Sequence, residues 1–143
     1  MAITFWHPRW KLGAMCHYVV PERPPSETGP PDGKYAVDAI GMIAERFRSR
    51  GIPPEAFEVK LFGGGNMFPD LPMGKAQPIG EKNIEVGRRL LKEAGFQVLR
   101  EDLAGLGNRT VIFDIQSGKV WIRQGSGVSL TEGDPTTAKG RTP

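Results

Sequence analysis

Apolar and polar positions along the chain alternate between two periods, and each change of period marks a new element. Residues 2–6 (AITFW) and 11–20 are dense in β-branched and aromatic side chains on either side of His7-Pro8-Arg9, which predicts two strands joined by a turn. Between 35 and 50 the apolar residues Ala36, Ile40, Ile43, Ala44 and Phe47 recur along one face of a helix, and Gly51 followed by Pro53 and Pro54 stops it. Residues 57–62 read as a short strand that runs directly into Gly63-Gly64-Gly65-Asn66. A second helix is predicted over 81–94, with Glu81 in its first turn, Lys92 in its last and Gly95 as its stop. Its buried side would carry Ile84, Val86 or Gly87, Leu90, Leu91 and Ala94. Three strands follow, at 97–102, 110–115 and 119–123, the last two joined by the tight turn Gln116-Ser117-Gly118. The order ββ-α-β-α-βββ predicts an α+β layered sandwich, with two main helices on one face of a mixed β-sheet.

Composition sets limits on this picture. The 19 glycines and 13 prolines are unevenly spread, and five of the prolines fall in 21–33, which must be an irregular connection. Residues 124–143 contain no aromatic residue and many Gly, Ser, Thr and Pro, so they are expected to form a disordered tail behind a folded domain spanning 1–123. One cysteine and two histidines exclude an internal disulfide and a Cys/His zinc site, and nothing in the sequence implies a cofactor. No apolar run approaches the roughly 18–20 residues of a membrane span, and the N-terminus lacks the order of a signal peptide, so a cytoplasmic protein without membrane insertion is expected. The 19 basic and 16 acidic residues are mixed along the chain. A nucleic-acid-binding reading rests only on Trp6, Arg9, Trp10 and Lys11 and predicts affinity that falls steeply with salt. The stretch reads instead as a solvated turn, and no nucleic-acid partner is expected.

Two segments could carry chemistry. In Leu12-Gly13-Ala14-Met15-Cys16-His17-Tyr18 a thiol and an imidazole are adjacent, which invites a nucleophile–base reading. Neighbouring residues of a strand point to opposite faces, so Cys16 and His17 cannot bond to each other there, and Cys16 reads as a small buried hydrophobe. The second segment is Phe62-Gly63-Gly64-Gly65-Asn66-Met67-Phe68. It lacks the Lys-Ser/Thr of a phosphate-binding loop. Successive glycines allow positive φ and close approach, which suits either a tight structural turn or a backbone cradle for a carbonyl or oxyanion.

Together LGAMCHYVVP (12–21), KLFGGGNMF (60–68), IGEKN (79–83), VLRED (98–102) and VIFDIQSGKVWI (111–122) resemble the chemoreceptor glutamine deamidase family, CheD. The likeness runs over about 2–123 in order. It implies hydrolysis of glutamine side chains on chemotaxis receptors to glutamate and ammonia, through a cysteine thioester. It places the family's histidine base at His17, and it suggests Gly63, Gly64, Gly65, Asn66, Met67 and Phe68 for substrate contact. The implied partners are the helices of methyl-accepting chemotaxis proteins, with a CheC-type phosphatase as a further one. The sequence departs from the family at its start. The family's nucleophilic Cys lies in a Gly-Ser-Cys-like stretch just before the strand that continues as Ala2-Ile3-Thr4-Phe5-Trp6, with a Thr upstream of it. Neither is present, and Cys16 and Thr4 do not replace them. The expectation is that the natural start lies upstream of Met1 and that the chain as given is inactive. The alternative is a non-catalytic module that binds receptors or a CheC-type phosphatase.

Overall fold

The computed structural model describes residues 1–66, 78–105, 107–125 and 130–132. Its first strand is its most buried one. β1 (Ala2–His7) lies between β2 (Leu12–His17) and β3 (Glu58–Gly63), antiparallel to both, and β4 (Val98–Leu103) adds parallel to β3, giving the order β2-β1-β3-β4. All six residues of β1 are buried because both faces of this sheet are covered.

One face carries the helices. Ile3, Phe5, Val59 and Leu61 point into a core with Ala36, Ala39, Ile40 and Phe47 of α1 (Ala36–Arg48) and Val86 and Leu91 of α2 (Ile79–Glu93). Phe5 meets Phe96 edge-on at 5.0 Å between centroids and Phe47 stacks on Phe57 at 3.9 Å, so aromatic rings fill the end of this layer. The two helices end alike. Gly51 and Gly95 take positive φ (68° and 85°), and the next residues, Ile52 and Phe96, are buried and return their N–H to Phe47 O and Leu91 O. In both cases a left-handed glycine and an apolar residue after it satisfy the last carbonyls.

The other face carries a second, three-stranded sheet of β5 (Arg109–Phe113), β6 (Val120–Gln124) and β7 (Leu130–Glu132), all antiparallel. Val120 and Ile122, with Val111 and Phe113, pack on Ala2 and Phe62. Its hairpin is organised by Asp114, which accepts the Gln116 N–H and the Ser117 hydroxyl. The hairpin tip is pressed onto the first sheet. A Cβ at Gly118 would lie 2.3 Å from the Trp6 ring, Trp6 Nε1 donates to Ile115 O at 2.7 Å, and the buried Lys60 ammonium donates to Gly118 O at 3.0 Å.

The α+β layered architecture is the expected one, with three differences. The strands divide into two sheets, because β5 and β6 turn away to cover the face that the helices leave open. β2 ends at His17 and not at Val20, because the Val19 and Val20 N–H groups donate to Lys34 O as the chain leaves the sheet. Within the segment expected to be a tail, Leu130–Glu132 pairs with β6, while 126–129 and 133–143 lie outside the described residues. The irregular connection at 21–33 is tied down: Arg23 pairs with Asp38 at 2.8 Å, and Glu27 receives both Lys34 Nζ and the Tyr35 hydroxyl.

Candidate functional site

Sheet register brings the two candidate segments to the same end of the molecule. His17 stands opposite Ala2, Ala2 opposite Phe62, and Phe62 opposite Asp102. Residues opposite one another share a face, so His17 projects on the side of the second sheet, away from the helices. With strands about 4.8 Å apart, the His17 and Phe62 backbones are roughly 10 Å apart. Gly63 follows Phe62, and a Cβ there would lie 3.3 Å from the Met1 Cα, so Met1 sits between the imidazole strand and the glycine turn. The Met1 ammonium donates to Tyr18 O at 2.8 Å and the Tyr18 N–H to Met1 O at 3.0 Å.

His17 is exposed at the end of the edge strand. Desolvation, and then the neighbouring Met1 ammonium, hold its pKa below the ordinary imidazole value, so the ring is neutral and free to accept a proton near pH 7. The strand beyond it is clamped to α2. Tyr18 is fully buried and its hydroxyl donates to Asn83 O at 2.7 Å, while Asn83 Nδ2 donates to Val19 O at 2.7 Å. Gly87 makes this possible, since a Cβ there would lie 2.2 Å from the Tyr18 oxygen.

Cys16 has the opposite surroundings. It stands opposite Ile3 and packs against the helix-side core. Burial pushes its thiol up to about 12, against smaller lowering effects from the Met1 ammonium and a backbone hydrogen bond at Ile3. A nucleophilic thiol needs the reverse, a depressed pKa in a polar, accessible setting. Cys16 and His17 therefore lie on opposite faces, as strand alternation predicts.

The glycine turn is held from two sides, and each glycine serves a different neighbour. Gly63 and Gly64 have φ of 114° and 70°. A Cβ on Gly64 would collide with Ile84 of α2 at 2.5 Å, and one on Gly65 with Gly107 O at 2.6 Å. Backbone hydrogen bonds knit the turn to the loop after β4: Ala104 N–H to Gly63 O at 2.9 Å, Asn66 N–H to Gly105 O at 2.8 Å and Gly107 N–H to Asn66 O at 3.0 Å. The Asn66 N–H is thus engaged, whereas those of Gly64 and Gly65 donate to no group among the described residues. Met67 and Phe68 lie outside the described residues.

Arg109, which the sequence pattern did not single out, closes the arrangement. Its side chain is 8% exposed, with Nε donating to Asp102 Oδ1 at 2.9 Å and Nη2 to Ala104 O at 2.7 Å. Asn83 and Tyr18 were equally unmarked, because their roles depend on contacts between segments 65 residues apart. At the basic stretch, Trp10 stacks on His7 at 4.6 Å and Lys11 lies 4.9 Å from the Trp6 ring, so these aromatics are engaged within the fold. Among the described residues no group of three or more His, Cys, Asp or Glu is disposed to hold a metal ion, and no helix is long and apolar enough to cross a membrane.

Fold and site together define a layered α+β domain with an accessible neutral imidazole and a glycine-rich backbone turn at one end of its central sheet. Comparison with known proteins gives this class a family. Residues 19–124 match the family model described as CheD chemotactic sensory transduction, a span that contains the glycine turn and Arg109 and begins just after His17. The chain is similar to the "Probable chemoreceptor glutamine deamidase CheD 2" of Albidiferax ferrireducens, with 36% identity over 135 residues, covering 94% of this chain and 78% of that protein. It is 38% identical over 127 residues to the CheD protein of Pseudomonas savastanoi pv. phaseolicola, covering 86% of this chain and 70% of that one. An archaeal relative from Thermococcus kodakarensis, of the same printed name without the number, is 30% identical over 132 residues. The chain belongs to the CheD family of chemoreceptor glutamine deamidases.

Proposed function

We propose that this fold hydrolyses the side-chain amide of glutamines on chemotaxis receptors, with His17 as general base and acid and the Gly63, Gly64, Gly65 and Asn66 turn as part of the oxyanion wall. The observation that carries the reading is the cross-strand row that brings a neutral His17 and the glycine turn to one end of the sheet. In this chemistry a cysteine thiol gives its proton to the imidazole, and the thiolate attacks the carboxamide carbon. The carbon–nitrogen bond breaks, ammonia leaves with the proton returned from the imidazolium, and a thioester remains. Water, deprotonated by the same imidazole, then hydrolyses the thioester to glutamate and free thiol.

Cys16 is not that thiol, since it is buried on the opposite face from His17 with a raised pKa. The 143-residue chain by itself is therefore expected to release no ammonia from receptor glutamines. The partner is a receptor's helical signalling region in the cytoplasm, presenting a glutamine to the open end of β2. Met67 and Phe68 are proposed to contact the substrate on the strength of the family likeness alone. A second reading, a non-catalytic module that binds receptors or a CheC-type phosphatase, is favoured by the burial and raised pKa of Cys16.

Ammonia release from receptor fragments decides between them. The deamidase reading expects none from the chain as given. It expects activity once a family Gly-Ser-Cys-like segment is joined ahead of Ala2, and loss of that activity in His17→Ala. Receptor binding without ammonia release from the extended chain would select the non-catalytic reading. Cysteine-dependent release by the chain as given would overturn the assignment of Cys16.

A further inference from the structure

The glycine turn has an orientation that its sequence does not reveal. The Gly64 carbonyl oxygen lies 2.6 Å and its carbon 3.0 Å from where a Cβ on Gly80 would be, so this peptide lies against the first turn of α2. No peptide bond in the described chain is cis. In a trans peptide the N–H points opposite to the C=O, so the Gly64 oxygen and the Gly65 N–H leave this peptide on opposite sides. The helices occupy one face of the sheet and His17 projects on the other. The Gly65 N–H donates to no group among the described residues.

Arg109 supplies a second, independent pointer. Two of its nitrogens are engaged, by Asp102 and by the Ala104 carbonyl, and Asp102 balances its charge. The third, Nη1, is buried, has no hydrogen-bond partner among the described residues, and lies 3.2 Å from the Cβ position of Gly65. An unpaired buried donor is costly in a native fold. Here it is fixed by a two-point fork beside Gly65, whose N–H also has no partner among the described residues. The two donors are neighbours, one on the glycine turn and one at the start of β5.

We infer that this turn is an oxygen-binding cradle for a planar side-chain carboxyl group, taking first the carboxamide oxygen and then the carboxylate formed from it. The Gly65 N–H donates to that oxygen. Arg109 supplies a second donor, its Nη1 held beside Gly65 by the bonds of Nε to Asp102 and of Nη2 to the Ala104 carbonyl. The inference rests on the amide-hydrolysis reading for its ligand class, but the binding it describes needs no nucleophile and is measurable on the chain as it stands.

The test is titration of the ¹⁵N-labelled 143-residue chain with N-acetyl-glutamate α-amide and, separately, N-acetyl-glutamine α-amide. The expected result is a saturable downfield movement of the Gly65 amide resonance, larger with the carboxylate. In Arg109→Met the affinity should fall roughly tenfold or more, the worth of a hydrogen bond to a charged group. Should that variant fail to fold, Arg109→Lys carries the test. It keeps the charge but cannot serve Asp102, Ala104 and the turn together, so binding should weaken at least about threefold, with the Gly65 resonance displaced. Absence of a saturable Gly65 response, or unchanged affinity in a folded Arg109 variant, overturns the inference. Ammonia release is not read here, so a failed deamidation assay and a failed cradle are distinguishable.

Discussion

Cys16 is the sharpest point at which the reading can be broken, because it is the chain's one thiol and every signal from a thiol reagent reports on it. The perturbation is unfolding, and the assay is reaction with the disulfide reagent 5,5′-dithiobis(2-nitrobenzoate) at pH 8. An unperturbed thiol with a pKa near 8.5 is roughly one quarter ionised at that pH. With the pKa pushed to about 12 by burial, only about one part in 10⁴ is thiolate. Thiolate population alone thus slows the native chain by a factor on the order of 10³. Against this, a more basic thiolate is a better nucleophile, and a Brønsted slope of about 0.4–0.5 over about 3.5 units returns roughly 30–50-fold. The net expectation is a native rate about 50–100-fold below that of the same chain in guanidinium, before any further slowing from packing against the core. A native rate within about fivefold of the unfolded one would refute the burial argument. With it would go one of the two grounds for denying Cys16 a catalytic role, the other being its place on the opposite face from His17.

Two further expectations concern stability. Gly87→Ala places a methyl 2.2 Å from the Tyr18 hydroxyl and breaks its 2.7 Å hydrogen bond to Asn83 O. Overpacking and an unsatisfied buried hydroxyl outweigh the alanine's better helix propensity, for a net loss of about 2–4 kcal/mol by urea denaturation. Equal or greater stability of the variant would contradict the clamp. Alkaline pH should also destabilise the fold. Because the folded Cys16 pKa is raised, the folded state keeps a proton that the unfolded chain releases, so this contribution is complete below about pH 8.5 and declines as pH rises toward 12. Between pH 8.5 and 10 the loss approaches about 2 kcal/mol and should be absent from Cys16→Ala, as comparison of denaturation midpoints would show.

What the sequence made legible was whatever depends on near neighbours. Both helices were readable from period and punctuation, since Gly51 and Gly95 stop them by a mechanism local to a few residues. The opposite orientations of Cys16 and His17 followed from strand alternation alone. The division into two sheets was not legible, because it depends on β5 and β6 covering Ala2 and Phe62, residues far from them along the chain. The candidate site was half legible as an arrangement of residues. A histidine and a glycine run announce themselves by residue type, whereas Arg109 looks like any strand-leading arginine until Asp102, the Ala104 carbonyl and Gly65 are brought around it. Asn83 was hidden in the same way: a polar residue on an amphipathic helix reads as solvent-facing, yet here it is 5% exposed and holds the chain beyond His17.

The parallel pairing of β3 with β4 has a consequence for how such a protein can change. Parallel strands leave a sheet at the same end, so the glycine turn after β3 and the loop after β4 are side by side by topology, whatever their side chains. The aromatic layer of Phe5, Phe47, Phe57 and Phe96 lies on the helix face and shares none of its residues with those loops. The loops can be rewritten in length and composition while the sheet keeps delivering their ends to one place. What those loops contact can change while folding stays under the control of the aromatic layer on the helix face.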